Sequence, residues 1–151
     1  MIIPDINILI HAYDTGFLHH EVAKRWWEDT ARTVKPVGLP WWTILGFIRI
    51  IINRSILENP RTVESALSIV RLWLRQPGVR IVTPGQRHAE ILFELLGALG
   101  IAGDLTPDAH LAALAIEYQA EIASTDNDFG RFPGVRWFNP LKGTASGSRR
   151  R

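Results

Sequence analysis

The chain has 151 residues, 46% apolar and 21% charged, proportions of one folded domain rather than of a disordered segment. No apolar run approaches the roughly 18 residues of a membrane helix, because the most apolar stretch, Ile44 to Ile52, is cut by Gly46 and Arg49. The absence of cysteine excludes disulfides, thiolate zinc sites and cysteine nucleophiles, and Met1 to Asp5 carries no basic segment of a secretion signal, so a cytoplasmic protein with no membrane partner is expected.

The formal charge of +2 is unevenly spread. Residues 142–151 hold four bases and no acid, leaving the rest of the chain with 13 bases against 15 acids, a balance of −2. Two regions are therefore expected: a folded domain over 1–141 and a disordered basic tail over 142–151, read either as an arm that attracts nucleic acid or as a remnant of cloning.

In chain order, Ile2-Ile3 forms a short buried strand ending at Asp5, and Asn7 caps a helix that runs to Tyr13. Residues 20–33 form an amphipathic helix carrying Trp26 and Trp27. Pro36 to Pro40 contains a second strand, followed by a helix from Trp42 to Asn53. Val63, Ala66, Leu67, Val70 and Leu74 share one helical face, and Pro77-Gly78 breaks that helix before a strand at Val79 to Val82. Ala89, Leu92, Phe93, Leu96 and Leu99 mark the next helix. Thr106-Pro107 supplies a cap and a first-turn proline for a central helix from Asp108 to Tyr118, with strands expected at Glu121 to Ser124 and Val135 to Phe138. Strands alternating with helices give an α/β domain with a mainly parallel sheet of about four strands.

Ligands of open parallel sheets bind beyond the carboxyl ends of the strands. Asp5 follows the first strand, Asp126 and Asp128 follow the Glu121–Ser124 strand, and Asp108 occupies the first turn of the central helix. Gathered at one edge, these carboxylates repel one another, and a hard divalent ion such as Mg²⁺ or Mn²⁺ relieves that cost. Simpler readings exist: Asp108 as a partner of its helix dipole, and Asp126 and Asp128 as turn residues. Asp5 is harder to dismiss, because an acid closing a buried strand needs a partner. The five histidines show no zinc-site spacing and are assigned to surfaces or helix faces. Asp126-Asn127-Asp128 is not the start of an EF-hand, and no phosphate-binding glycine loop follows a strand.

Pro4-Asp5-Ile6-Asn7-Ile8-Leu9, Asp108-Ala109-His110-Leu111-Ala112-Ala113 and Ser124-Thr125-Asp126-Asn127-Asp128-Phe129-Gly130-Arg131-Phe132, in that order, resemble a PIN-domain ribonuclease. The closing Trp137-Phe138-Asn139-Pro140-Leu141 strengthens the likeness to the VapC toxins of bacterial toxin–antitoxin pairs. The resemblance implies a PIN-like fold and RNA cleavage at Asp5, Asp108, Asp126 and Asp128. It implies Mg²⁺ or Mn²⁺ on Asp5, Asp108 and Asp126, support from Asn7 and Thr125, a cognate antitoxin partner and a homodimer. Arg49 and Arg131 are candidate substrate phosphate contacts. The sequence departs from the family where a glutamate usually follows the second strand: Gly46 stands near that place, which puts metal stoichiometry in question. Asp104 is a candidate replacement for that acid, with a solvated loop acid as the simpler reading. Competing functions are a catalytically impaired binding module that retains the antitoxin interface, and a Mg²⁺ phosphomonoesterase with an aspartyl nucleophile. Trp26, Trp27, Trp41 and Trp42 exceed the needs of one small core, and one or two of them are expected to line a groove for an amphipathic antitoxin segment.

Overall fold

The computed structural model describes residues 1–100 and 103–142. The short apolar stretches become β1 (Ile2–Pro4), β2 (Val37–Pro40), β3 (Val79–Val82), β4 (Glu121–Ala123) and β5 (Arg136–Phe138). Among the described residues they form one sheet in the order β3-β2-β1-β4-β5, with every neighbouring pair parallel; each of the five stretches read as a strand is present, against an expected sheet of about four strands. β1 and β2 are buried along their whole length, as strands covered on both faces must be.

Among the described residues six α-helices cover the sheet: α1 (Ile6–Tyr13), α2 (His20–Arg32), α3 (Trp41–Ile51), α4 (Val63–Arg75), α5 (His88–Leu99) and α6 (Thr106–Glu117). α1 to α4 enclose one core with Val37, Leu39 and Val79, while α5 and α6 enclose the other with Ile3, Ile122 and Val82. The first core is aromatic at its centre. Trp73 lies 4.6 Å from Phe47, 5.5 Å from Trp27 and 5.6 Å from Tyr13 between ring centroids. Its indole N–H donates to the Tyr13 hydroxyl at 2.8 Å, so the one polar atom this ring carries inward is satisfied.

This aromatic packing sets which face of α4 turns inward. Ala66, Ile69, Val70 and Trp73 are buried, whereas Val63, Leu67 and Leu74, expected on the core face, are exposed. α5 is rotated in the same sense, burying His88, Ile91 and Leu95 against α6 and leaving Phe93 68% exposed. Both helices carry more apolar residues than one face can hold, so periodicity alone did not select the stripe. α6 begins at Thr106 itself, with Leu105 in the capping position, rather than being capped by Thr106. Lys142, grouped with the tail by composition, lies within the described fold; the tail from 143 onward and Ala102 lie outside the described residues.

Successive strands step from β1 outward to β2 and β3, and the chain then returns to place β4 on the other side of β1. The direction of winding thus reverses between β1 and β4. Helices leaving two adjacent parallel strands on opposite faces open a crevice at their carboxyl ends. Asp5 and Asp126 follow those two strands.

Candidate active site

Asp5 ends β1 and is the N-cap of α1, the role expected of Asn7. Its Oδ1 accepts the Ile6 backbone N–H at 2.7 Å, and its Oδ2 accepts the Ser124 hydroxyl at 2.7 Å and the Asn7 side-chain amide at 3.1 Å. Asn7, one residue into the helix, is thereby free to bridge strands. Its amide also donates to Ser124 Oγ at 3.1 Å, and its carbonyl oxygen accepts the Thr125 backbone N–H at 3.2 Å. Ser124 is fully buried and holds the junction together, donating to Asp5 while accepting the Asp126 backbone N–H at 3.0 Å. Burial pushes the Asp5 carboxyl above its ordinary range, the bonds from Ser124 and Ile6 pull against that, and the charge of Asp126 adds to the rise.

Asp126 caps the short 3₁₀ turn Asn127–Arg131, its Oδ1 accepting the Asp128 backbone N–H at 2.8 Å. That turn folds Asp128 back beside Asp126. From the first turn of α6 comes Asp108, half-buried, whose carboxyl is pushed up to about 7 by burial first and then by the charges of Asp5, Asp126 and Asp128. One carboxylate oxygen from each of Asp108, Asp126 and Asp128 lies within 4.8 Å of the other two. Asp5 faces the same space, since its charge is felt by Asp108, but it is not one of that close group. The group thus contains Asp128, which sequence reading placed outside the metal set. Three carboxylates converging without an interposed base form an all-oxygen donor set, which fits a hard divalent cation.

The remaining candidates separate clearly. Arg131 Nη1 stands 3.9 Å from Asp128 Oδ1 at the rim of the cluster. Arg49 is exposed on α3 and, among the described residues, makes no ion pair. Thr125 contributes its backbone N–H to Asn7, while the hydroxyl that reaches Asp5 is that of Ser124. Ser124 was missed because a serine at a strand end reads as ordinary turn chemistry; its signal is the position two residues before Asp126. Asp104 is exposed on the 3₁₀ turn Gly103–Leu105 and is not among the converging carboxylates. At Gly46 α3 passes close to α1: a Cβ there would meet the outer atoms of the Ile6 side chain, which would have to shift.

The histidines and tryptophans also resolve. His88 is buried rather than superficial: its Nε2 and His110 Nδ1 are 3.0 Å apart, and its Nδ1 lies 3.3 Å from Glu117 without hydrogen-bond alignment. Trp27 is buried, Trp26 is partly covered against Phe138, and Trp41 and Trp42 stand exposed at the start of α3. Trp27 also lines an open cavity of about 220 Å³ with Tyr13, Lys24, Glu28 and Arg61.

Residues 2–135 match the family model of the PIN domain. Ribonuclease VapC33 of Mycobacterium tuberculosis is 46% identical over 142 residues, covering 94% of this chain and 99% of that protein. Ribonuclease VapC37 of the same organism is 41% identical over 140 residues, covering 93% and 97%. Among solved structures, VapBC2 from Rickettsia felis, bound to a promoter DNA fragment, superposes with a TM-score of 0.68 at 19% identity, covering 92% of this chain and 98% of the other. VapC20 of Mycobacterium tuberculosis, a toxin that cleaves the sarcin–ricin loop, gives a TM-score of 0.64 at 20% identity, covering 90% and 99%. Likeness at that identity speaks for the fold.

Proposed function

This chain belongs to the PIN-domain family and within it to the VapC ribonucleases, and on that premise we propose that it is the endoribonuclease toxin of a toxin–antitoxin pair, dependent on Mg²⁺ or Mn²⁺. The observation that carries the reading is the convergence of Asp108, Asp126 and Asp128 within 4.8 Å, with Asp5 facing them from the end of β1. The metal ligands are Asp5, Asp108 and Asp126, joined by Asp128. A divalent ion held by these carboxylates would supply a lowered pKa for a bound water and charge neutralisation at a phosphoryl group. The side chains do the rest. Ser124 and Asn7 keep Asp5 in one rotamer and tie it to the loop that presents Asp126, so carboxylates from two strands keep a fixed separation. Arg131 stands where it can meet a phosphate oxygen while restraining Asp128.

Residues 1–141 act as one nuclease unit in this reading, working on RNA in the cytoplasm. An antitoxin segment is proposed to cover the cavity beside Trp27 and Tyr13, where an apolar floor is rimmed by Lys24, Glu28 and Arg61. Self-association into a homodimer belongs to the same reading and follows from the VapC relationship. Mapping RNA ends after expression of the wild-type chain and of Asp5→Asn tests the function. New cleavage ends with the wild type alone support the ribonuclease. If neither chain cuts while both still bind an antitoxin, the molecule is a binding module.

A further inference from the structure

Lys142 closes the turn that follows β5. The Asn139 side-chain oxygen accepts the Leu141 backbone N–H at 2.9 Å, and the Asn139 backbone carbonyl accepts the Lys142 N–H at 3.2 Å. The side chain therefore leaves a folded turn at the carboxyl edge of the sheet. Its ammonium donates to Asn127 Oδ1 at 3.3 Å. Asn127 sits between Asp126 and Asp128 on the 3₁₀ turn, and its exposed side chain faces outward while its neighbours supply carboxylates. A cation is thus fastened to the acidic loop through a neutral partner. Arg131, on the same loop, stands instead 3.9 Å from Asp128, whose negative charge offsets it. Among the described residues no carboxylate comes within ion-pair distance of Lys142.

We propose that Lys142 is a substrate-binding residue, held at the rim by Asn127, that takes an RNA phosphate flanking the one being cleaved. The inference rests on the ribonuclease reading above. An RNA strand approaching Asp5, Asp108, Asp126 and Asp128 brings more than one phosphate, and those on either side of the reacting one meet a field dominated by carboxylates. A cation at the rim offsets that repulsion without displacing a metal ligand. Lysine suits the task, being a compact charge on a flexible stem. Its exposed bond to a neutral amide can be exchanged for a phosphate oxygen, where an ionised acceptor adds the attraction of opposite charges.

The test measures cleavage of a short single-stranded RNA at saturating Mg²⁺ by the wild-type chain, Lys142→Ala, Lys142→Arg and Asn127→Ala, with Arg80→Ala on the exposed face of β3 as a distant charge control. RNA binding is measured in parallel against salt, on an Asp108→Asn background that prevents turnover. Lys142→Ala is expected to raise KM about tenfold with kcat nearly unchanged, the size of one charge-assisted contact. It should also flatten the plot of log affinity against log salt by about 0.7. Lys142→Arg should restore both readouts, Asn127→Ala should raise KM less, and Arg80→Ala should change neither. An unchanged KM and salt slope in Lys142→Ala, a loss confined to kcat, or an equal loss in Arg80→Ala overturns the assignment while leaving the ribonuclease standing. A wild-type chain that neither binds nor cleaves RNA overturns both together.

Discussion

Asp5 and Asp108 face one crevice from opposite sides and are held in contrasting ways. Asp5 is enclosed, with three donors on its two oxygens: a backbone N–H, the Ser124 hydroxyl and the Asn7 amide. Asp108 reaches in from the start of α6 and, among the described residues, accepts no hydrogen bond, so burial and three like charges act on it unopposed. The fold thus supplies its own compensation on the β1 side and leaves the α6 side to be compensated from outside. That asymmetry separates a carboxylate built into the scaffold from one waiting for a cation. It also assigns different costs to altering each half.

The largest effect is expected on the open side. Asp108→Asn should reduce RNA cleavage to background while leaving the metal-free fold as stable as the wild type or more so, because it removes charge repulsion and breaks no hydrogen bond. Parallel cleavage assays and thermal melts check this; a melt well below wild type would mean that Asp108 is structural. On the enclosed side both properties should fall together. Ser124→Ala strips a buried hub, and the expected losses are about 1–3 kcal/mol in denaturant stability and about 10- to 100-fold in cleavage. If Ser124→Ala melts like the wild type, the buried junction is not what holds Asp5.

A gentler probe is pH. The Asp108 carboxyl is pushed up to about 7 from an ordinary 3.8, so between those values the folded chain holds a proton that the unfolded chain has released. Metal-free stability should therefore be greatest below that window and decline as pH rises through it, with Asp5 contributing in the same direction. Melts in chelator across the window should show the decline. Asp108→Asn should flatten it, and added Mg²⁺ should flatten it by favouring the charged form. A wild-type profile already flat in chelator would show that the carboxylates are not mutually strained. The smallest effect belongs to Asp104, exposed and outside the converging group: Asp104→Ala should leave the Mg²⁺ concentration for half-maximal cleavage unchanged. A clear rise would restore it as a substitute for the missing glutamate.

What could be read without the structure follows the same division. The α/β alternation and the four aspartates were legible because strand ends and a helix start fall at recognisable turn and cap residues. That the aspartates gather at one sheet edge was legible as well; that Asp128 rather than Asp5 stands closest to Asp108 and Asp126 was not, nor was the hold of Ser124 on Asp5, which are 119 residues apart. Asn7 reads as a cap because asparagine suits that position; Asp5 takes the role two residues earlier, and Asn7 becomes a strand-to-strand bridge. Gly46 reads as a lost acid, while in the fold it lies against the Ile6 side chain of a neighbouring helix, a contact no local pattern encodes. The buried stripes of α4 and α5 were displaced for a related reason, the choice among several apolar faces being made by Trp73 and by the α6 surface.

The most direct measurement is cleavage of a defined RNA by chelator-stripped protein as Mg²⁺ is returned, for the wild type beside Asp108→Asn. The expected result is a stripped wild type that is silent and regains cleavage with added Mg²⁺, next to a folded Asp108→Asn chain that stays silent at every concentration. Cleavage that persists in chelator, or an Asp108→Asn chain that cuts at the wild-type rate, would contradict a divalent-ion centre on these aspartates.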